Sequence, residues 1–401
     1  MRSEEMSSIL HSAIDKVYNR NNLELAATKV AKNKGSGGVD GMGMSAWKRG
    51  EELHLTVLRK QLMLDSYRSK PVKRVYIDKP GSKKKRPLGI PTITDRVCQQ
   101  AVHNVLAPVF EEYFRDESYG FRPGRSTKRA AAKIEAIRRL GYRTVVDIDI
   151  KGFFDNVDHE ILMRLVRKVV KDRRVLGLIR GWLKAGVMED CNLRYLISGT
   201  PQGGVISPLL SNIYLTVLDN ALAKAGLKFV RYADDVLILC ADQAGAVSAL
   251  EMVRGILRRL KLELNEEKTH ISNFDVGFDF LGFHFGKKGR GIGTKSLKSF
   301  HLKVREATKR NQGDIALKLV IAKLNPIIRG WGTYHNQGRN VGTFTKLDRW
   351  VRNRLRSYKW KRWRDRPARG VKPSKGDFEQ MNLFSLRRIL RPEYVQLELW
   401  N

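Results

Sequence analysis

Apolar residues recur every three to four positions over much of the chain, a spacing that predicts amphipathic helices. Helices are predicted in this way over residues 46–65, 94–114, 126–140, 244–260, 298–311, 314–330 and 343–360. Shorter apolar segments, some alternating with polar residues, predict strands over residues 72–77, 86–91, 144–150 and 278–285. The pattern contains no internal repeat, so each segment has its own place in the fold.

The segment Phe229–Cys240 joins two apolar runs through the polar tetrapeptide Tyr-Ala-Asp-Asp. This order predicts a strand, a tight turn and a second strand, with Asp234 and Asp235 at the tip of the hairpin. An isolated Asp-Asp pair is most often a solvated turn. A functional role therefore requires further carboxylates and a polyanionic partner.

A further carboxylate lies in the predicted strand 144–150. Asp147 and Asp149 interrupt a run of apolar residues that is otherwise typical of a buried strand. A carboxylate in such a strand is costly unless it is paired, hydrogen-bonded or bound to a cation. The strand therefore provides the third acidic group that the hairpin tip requires.

Two loops have compositions suited to a phosphate-bearing ligand. The connection between the first two predicted strands is strongly basic and contains Lys79, Lys83, Lys84, Lys85 and Arg86. The second loop has glycines at positions 199, 203 and 204, where the backbone can approach a ligand closely. It leads into a helix that we expect Ser207 to cap, with Pro208 in the first position. A solvated turn and a tight connection are the ordinary explanations of these two loops.

The charge of the chain indicates a polyanionic partner. Its 401 residues include 76 Lys and Arg against 41 Asp and Glu, a net charge of +35. Nucleic acid is the first candidate for such a charge, and a hydrophobic content of 42% excludes a merely disordered basic tail. Residues 287–369 hold 24 Lys and Arg against four acids. Trp360 and Trp363 lie among these basic residues, which suits stacked bases, although a core role is equally compatible with them.

The remaining composition limits the other classes of function. The three cysteines are widely spaced and odd in number, so neither a disulfide framework nor a zinc site is supported. No apolar run approaches the roughly 18 residues of a membrane span, and the first residues lack the order of a signal peptide. We therefore expect a cytoplasmic protein without a membrane partner.

Together these features suit phosphoryl transfer on a nucleic acid. Two divalent cations about 3.5–4 Å apart, held by carboxylates, would activate a primer 3′-hydroxyl and stabilise the leaving pyrophosphate. Mg²⁺ prefers such hard oxygen ligands. Basic side chains at a hairpin tip would neutralise the charge of a triphosphate.

Short motifs of the chain, in their order, are similar to the blocks of one family, the group II intron-encoded reverse transcriptases, or maturases. The similar segments run from about residue 33 to 365 and read NKGSGGVDG, RPLGIPTITDR, DIDIKGFFDNVDH, GTPQGGVISPLLSNIYL, RYADD, LNEEKT, FLGF and LNPIIRGWGTYH. A single match would carry little weight. The ordered series makes a chance similarity implausible.

The resemblance implies an α+β fold of the right-hand polymerase type, with fingers, a palm whose antiparallel sheet carries the YADD hairpin, and a helical thumb. The implied divisions are an N-terminal helical extension and basic loop at 1–45, fingers at 46–140, palm at 141–286, an RNA-binding thumb or maturase domain at 287–365, and a short tail at 366–401. The segment after the thumb contains no Cys or His, so the chain resembles bacterial relatives that lack the C-terminal endonuclease domain.

The resemblance also implies the catalytic residues. Asp149, Asp234 and Asp235 match the carboxylates that bind two Mg²⁺ ions, with Mn²⁺ as a substitute. Asp149 is preferred to Asp147 because the steric-gate aromatic of the family lies five residues after the metal-binding aspartate, where this chain has Phe154. A ring below the sugar would collide with a ribose 2′-hydroxyl, which favours deoxynucleotides.

Further contacts are carried over from the same motifs. The residues that match nucleotide contacts of the family are Lys79, Arg86, Phe154, Gln202, Gly203 and Lys268. The residues expected to contact primer or template are Tyr232, Ala233, Phe280, Leu281, Gly282, Arg329, Arg352, Arg356, Trp360 and Arg362. Of these, Phe280, Leu281 and Gly282 resemble the primer grip.

The implied partners are template RNA, intron RNA, a DNA primer or target DNA, and dNTPs, in a bacterial cytoplasm and at the nucleoid. The oligomeric state is left open. One alternative is a mainly non-catalytic RNA-binding splicing cofactor, against which the intact carboxylates argue. Others are a free-standing or defence-associated reverse transcriptase and an RNA-dependent RNA polymerase, and Phe154 argues against the last.

Overall fold

The computed structural model describes residues 12–78, 85–189, 192–194, 199, 203–309, 315–337, 340–359 and 373–390. Several of the residues singled out above lie outside this part, namely Lys79, Lys83, Lys84, Gln202, Trp360, Arg362 and Trp363. The chain divides into two compact units, Met1–Ile271 and Ser272–Asn401. Within the described part, every helix is too short or too polar to cross a membrane.

The first unit is a mixture of helices and strands. Its described helices are α1 (Ile14–Val17), α2 (Arg20–Lys32), α3 (Met44–Arg49), α4 (Glu51–Met63), α5 (Ile93–Glu111), α6 (Thr127–Arg139), α7 (Phe153–Asn156), α8 (His159–Val169), α9 (Arg173–Lys184), α10 (Ser207–Lys224) and α11 (Gln243–Arg259). Its strands are β1 (Val72–Asp78), β2 (Lys85–Ile90), β3 (Thr144–Ile148), β4 (Val187–Glu189), β5 (Asn192–Arg194), β6 (Lys228–Tyr232), β7 (Asp235–Cys240) and β8 (His270–Asn273), which ends just past the boundary. The α+β class expected from the sequence is confirmed.

Two four-stranded sheets organise this unit. One has the strand order β6-β7-β3-β8, and β7 runs antiparallel to both of its neighbours. The other has the order β2-β1-β4-β5, with β1 antiparallel to β2 and parallel to β4. The first sheet holds the YADD hairpin, and the second holds the strands on either side of the basic loop.

The two faces of β3 differ in polarity. Val146, Ile148 and Ile150 are buried and belong to the main hydrophobic core. Asp147 and Asp149 occupy the alternate positions, which point to the opposite face because side chains alternate along a strand. Helix α10 is buried on several sides, since it contacts α5, α8 and α11. This packing explains why its buried residues lie on several faces and not along a single stripe.

The start of α10 differs from the prediction. The helix begins at Ser207, and its N-cap residue is Ile206, which makes no side-chain capping hydrogen bond. The expectation that Ser207 caps this helix is therefore wrong by one residue. Just before the helix, Val205 N donates to Gln99 Oε1 at 2.8 Å. A contact with a side chain so distant in sequence cannot be read from the local pattern.

The second unit joins a small sheet to a group of helices. Its strands are β9 (Phe278–Phe280), β10 (Phe283–Gly286) and β11 (Gly289–Ile292), in the order β11-β10-β9. Its described helices are α12 (Thr294–Ala307), α13 (Leu317–Tyr334), α14 (Val341–Lys359), α15 (Lys375–Gln380) and a 3-10 helix at Leu386–Leu390. The single edge strand predicted over 278–285 is wrong, since it is a hairpin whose second strand, β10, is central in the sheet. The reason is a two-residue turn at Leu281 and Gly282, which both have positive φ, +49° and +76°.

Residues 373–390 belong to the core of this unit, although their sequence shows little periodicity. Phe378, Leu386 and Ile389 are buried together with residues of α12, α13 and α14. The buried carboxylate of Asp348 on α14 anchors the 3-10 helix, because it accepts hydrogen bonds from Ser385 Oγ at 2.6 Å and from Leu386 N at 2.9 Å. The segment after the helices therefore has a defined structural role.

Candidate active site

The tip of the β6–β7 hairpin is a two-residue turn. Tyr232 and Asp235 pair across the two strands, so Ala233 and Asp234 form the turn. Ala233 has a φ of +58°, as the first central residue of a type II′ hairpin turn does. Gly120 packs on this turn so closely that a Cβ at that position would lie 2.3 Å from Ala233 N. The predicted strand, turn and strand are confirmed.

The end of β3 lies beside the second strand of the hairpin. The β3–β7 register pairs Ile148 with Val236. Continued by one residue, this register places Asp149 opposite Asp235. Directly opposed residues in antiparallel strands have Cβ atoms about 4.5–5.5 Å apart. The sheet thus brings together acids that the sequence has on two separate strands.

The LNEEKT motif holds the backbone of Asp149. Asn265 N donates to Asp149 O at 2.8 Å, and Asp149 N donates to Thr269 Oγ1 at 3.3 Å. The same turn places Lys268 Nζ 3.3 Å from Asp149 Oδ2. The motif predicts Lys268 as a nucleotide contact, and the structure places it beside Asp149 through the turn that also holds the backbone of Asp149.

The pKa values of the two aspartates at the turn are raised by burial and by neighbouring negative charges. Burial raises the pKa of Asp234, and the negative charge of Asp149 adds to this rise in pKa. The positive charges of Arg86 and Arg231 act in the opposite direction. Arg86 lies on β2, opposite Ile77. An arginine of the second sheet is therefore close enough to influence a carboxylate of the first.

The pKa of Asp235 is raised more strongly than that of Asp234. Although its side chain keeps an exposed face, several causes together raise the pKa of Asp235 to about 6, and the largest is the displacement of water from the carboxylate by the surrounding protein. The negative charges of Asp234, Asp147 and Asp149 contribute to the same rise in pKa. Lys268 opposes them. A cation bound at this place would relieve the repulsion, because it favours the ionised carboxylates.

Phe154 lies at the start of the chain segment that follows β3. It belongs to α7, is half-buried, and makes an edge-on contact with Phe153 at 5.2 Å between ring centroids. Gly199 packs on the backbone of the same helix, since a Cβ there would lie 3.0 Å from Phe154 O. Gly203 packs on β2, where a Cβ would lie 2.5 Å from Gly89 O. Gly199 therefore lies against the segment of Phe154, and Gly203 lies against the strand of Arg86.

The donors at the turn fit Mg²⁺ in their chemistry, since carboxylate oxygens are the ligands that this ion prefers. Asp149, Asp234 and Asp235 could hold it. Within the described residues, no three His, Cys, Asp or Glu side chains are already grouped around a common point as a metal site.

Sequence reasoning missed a buried polar group directly behind the turn. Arg231 and Asp219 are both fully buried, and Arg231 Nε and Nη2 donate to the two carboxylate oxygens of Asp219 at 2.7 and 2.6 Å. Asn212 Oδ1 accepts from Arg231 Nη1 at 2.9 Å. The available signal was a charged residue within the apolar strand and another within the apolar helix.

The second unit positions the remaining residues that were expected to contact primer or template. Phe280 is buried, and Leu281 and Gly282 form the β9–β10 turn, in which Leu281 O accepts from Tyr334 Oη at 2.8 Å. Three arginines that are predicted to contact primer or template lie on α13 and α14. Arg329 is exposed, with its guanidinium carbon 5.0 Å from the ring centre of Phe384, and Arg352 is half-buried. Arg356 donates a hydrogen bond to Pro373 O at 2.9 Å.

Two family models match the chain. The model described as reverse transcriptase (RNA-dependent DNA polymerase) matches residues 77–285, and the model described as group II intron, maturase-specific domain matches residues 297–376. The first covers just over half of the chain and includes the hairpin, β3, α7 and the LNEEKT motif. The chain therefore belongs to the reverse transcriptases, and its second domain makes it a reverse transcriptase/maturase of the group II intron type.

Individual relatives agree with this family. Protein YkfC of Escherichia coli K12 is 34% identical in an alignment of 311 positions that covers 68% of this chain and 81% of that protein. Group II intron-encoded protein LtrA of Lactococcus lactis subsp. cremoris is 47% identical over 168 residues, 41% of this chain and 28% of that protein. A chain of a Cas6-RT-Cas1–Cas2 complex has a TM-score of 0.40 and 24% identity over 65% of this chain and 27% of that one. This structural similarity is too weak to support an argument.

Proposed function

We propose that Asp149, Asp234 and Asp235 form the catalytic centre of this reverse transcriptase. The observation that carries the proposal is the meeting of carboxylates from two strands at one end of the β3–β7 pair, where their charges interact. Two Mg²⁺ ions, or Mn²⁺, bound there would activate a primer 3′-hydroxyl and stabilise the leaving pyrophosphate. The hairpin turn and the LNEEKT turn keep the three carboxylates in place.

The incoming dNTP lies between this centre and the strand of Arg86 in our proposal. Arg86 and Lys79 neutralise the triphosphate, and the glycine loop with Gln202 and Gly203 contacts the nucleotide. The closeness of Arg86 to Asp234 and of Gly203 to β2 supports this arrangement. Lys268, beside Asp149, would contact the nucleotide and meet the developing negative charge.

Phe154 selects the sugar in this proposal. A ring at this place leaves no room for a 2′-hydroxyl, so deoxynucleotides are preferred. Its support is the half-buried ring braced by Phe153 on a segment that follows Asp149 closely. Tyr232 and Ala233 directly precede Asp234 in the hairpin, and in this proposal they contact the end of the primer.

The domain arrangement of a right-hand polymerase follows as a proposal. Residues 46–140 form the fingers, 141–286 the palm and 287–365 the thumb, with 1–45 as an extension. Residues 373–390 extend the thumb domain, because Phe378 and Leu386 lie in its core. The primer grip is formed by Phe280, Leu281 and Gly282.

The second unit binds template and intron RNA in this proposal. Its support is the charge of residues 287–369, which include 24 Lys and Arg but four acids. The phosphates of an RNA backbone supply the complementary negative charge. Arg329 and Arg352 are the described contacts. Arg356 contributes its charge as well, although its side chain also packs against the segment at Pro373. Trp360 and Arg362 complete the proposed set.

Primer extension tests the catalytic proposal. The wild-type chain is expected to extend a DNA primer on an RNA template with dNTPs and Mg²⁺, and chelation with EDTA is expected to stop extension. Asp234→Ala is expected to remove the activity while RNA binding, measured on the same preparation, stays within about twofold. Extension by Asp234→Ala at the wild-type rate would show that the site is wrongly assigned.

A splicing-assisting role is favoured by the maturase-specific domain match at residues 297–376. Because that role needs binding and not nucleotidyl transfer, we expect Asp235→Asn to assist intron splicing as well as the wild type. Rates of splicing of a candidate intron RNA with each protein provide the measurement. Loss of assistance in Asp235→Asn would mean that the two functions share the carboxylates.

A further inference from the structure

Arg231 is a charged residue in a place where an apolar one would be ordinary. It lies on β6 after Phe229 and Val230, and its side chain is fully buried. A buried charge is costly unless it is paired and its donors are satisfied. The hydrogen bonds that compensate for the burial of its charge therefore indicate the role of Arg231.

The guanidinium group of Arg231 is held on one side by two residues of α10. Its Nε and Nη2 donate to both oxygens of Asp219, itself fully buried, in a bidentate pair. Its Nη1 donates to Asn212 Oδ1 at 2.9 Å. The amide nitrogen of Asn212 continues the network, since it donates to Gly120 O at 2.9 Å.

On its other side, the same guanidinium reaches the catalytic turn. Arg231 Nη1 also donates to Ala233 O at 2.9 Å. Ala233 is the residue with φ +58°, and it directly precedes Asp234. Non-glycine residues in this region of backbone space are strained and persist only where their surroundings fix them. Gly120, held by Asn212, presses on the same residue from outside the hairpin.

The backbone of Arg231 is fixed by a third segment. Arg231 N donates to Glu117 O at 2.9 Å, and Tyr119 N donates to Arg231 O at 2.8 Å. The loop from Glu117 to Gly120 therefore pairs with β6 on the side away from β7. Helix α10, this loop and the hairpin meet at one guanidinium group.

Stability alone does not account for this arrangement. Replacing a buried ion pair by well-packed apolar residues is often neutral or stabilising, so such pairs are weak evidence for a stabilising role. An apolar side chain could not donate to Ala233 O. The property that the ion pair adds is a fixed direction for the carbonyl of a strained turn.

We infer that Arg231 and Asp219 are a positioning pair, which fixes the Ala233–Asp234 turn and so the geometry of Asp234 and Asp235. This inference rests on the catalytic role proposed for those two carboxylates. Because its side chain is fully buried, Arg231 acts through the turn in this inference and not by contact with substrate. Asp219 and Asn212 hold its guanidinium rigidly, and that rigidity is transmitted to the turn by the hydrogen bond to Ala233 O.

Single-nucleotide incorporation tests the pair. Arg231→Lys keeps the charge but cannot satisfy Asp219 and Ala233 together, and Asp219→Asn keeps the shape but loses the bidentate pair. Each variant is expected to lower the maximal incorporation rate by about tenfold or more, because small misplacements of reacting groups are costly. The KM for dNTP is expected to change by less than about threefold, since Arg86 and Phe154 are untouched.

Leu222→Ala is the matched control. Leu222 is fully buried on α10, one turn after Asp219, and contacts neither the guanidinium nor the hairpin turn by a hydrogen bond. Its removal leaves a cavity and lowers the Tm. Compared well below the Tm of every variant, Leu222→Ala is expected to keep the wild-type incorporation rate.

The outcomes separate the two proposals. An inactive wild-type chain would contradict the proposed function itself. An active wild type, with Arg231→Lys and Asp219→Asn as active as Leu222→Ala, would overturn the positioning role. Failure of both variants to fold, while Leu222→Ala folds, would also overturn it, because the pair would then serve stability. A lower rate with unchanged KM in both folded variants is the expected result.

Discussion

Charge is arranged in opposite ways in the two units of this protein. In the first unit, Asp149, Asp234 and Asp235 concentrate negative charge at the end of two paired strands. In the second, positive charge is spread along the sequence of residues 287–369. Activity at a concentrated site depends on the placement of each carboxylate. The RNA affinity of a distributed basic surface is instead the sum of many small contributions. Single substitutions should therefore have large effects in the first unit and small ones in the second.

Among substitutions outside the carboxylates, we expect the largest effect at Phe154, the proposed steric gate. Phe154→Ala is expected to lower the preference for dNTP over rNTP by about 10- to 200-fold, the range that one apolar contact provides in substrate discrimination. The measurement is the ratio of kcat/KM for a matched dNTP and rNTP. Incorporation of the dNTP serves as the internal control. An unchanged ratio would remove Phe154 from the site.

Arg352→Gln on α14 tests the distributed surface. It is expected to weaken RNA binding only a few-fold and to reduce the slope of log K against log salt by about one, as loss of one phosphate contact does. Arg356→Gln provides a contrast, since loss of its bond to Pro373 O should also lower the Tm. A salt slope that is flat in the wild type would contradict RNA binding by phosphate contacts.

Asp348→Ala should give a stability effect without a direct effect on RNA. It leaves the 3-10 helix without its buried acceptor, so the free energy of unfolding is expected to fall by about 1–3 kcal/mol. Asp377→Ala removes an exposed capping box at α15 and should cost about 1 kcal/mol or less. Chemical denaturation measures both. Equal losses would mean that burial of Asp348 adds nothing.

Much of the first unit could be predicted because its chemistry lies in short motifs. The apolar runs around YADD and the acids within 144–150 indicated both strands, and the motifs linked Asp149 to Phe154. Their pairing register could not be predicted, because it depends on contacts between distant strands. The Arg231–Asp219 pair was missed for the same reason, since its members lie on two elements whose packing no local pattern describes.

The second unit was predicted less well, for physical reasons that particular residues show. The FDFLGFHF segment alternates as one strand would, but Leu281 and Gly282 adopt positive φ and turn the chain. Residues 373–390 pack against a core formed by α12, α13 and α14. Because they contact several helices and not one flat face, their apolar residues follow no single period. Apolar anchors such as Phe378 cannot be distinguished from loop residues without their partners.

The central claim is that Asp149 acts with Asp234 and Asp235, and a comparison of Asp149→Ala with Asp147→Ala tests it most directly. Both acids lie on the same face of the chain segment at β3, but only Asp149 continues the register opposite Asp235. Single-turnover incorporation with Mg²⁺ is expected to fall by about a thousandfold in Asp149→Ala, the loss of several kcal/mol of transition-state stabilisation. In Asp147→Ala it should stay within about tenfold of the wild type. Loss of activity in Asp147→Ala with retention in Asp149→Ala would contradict the account.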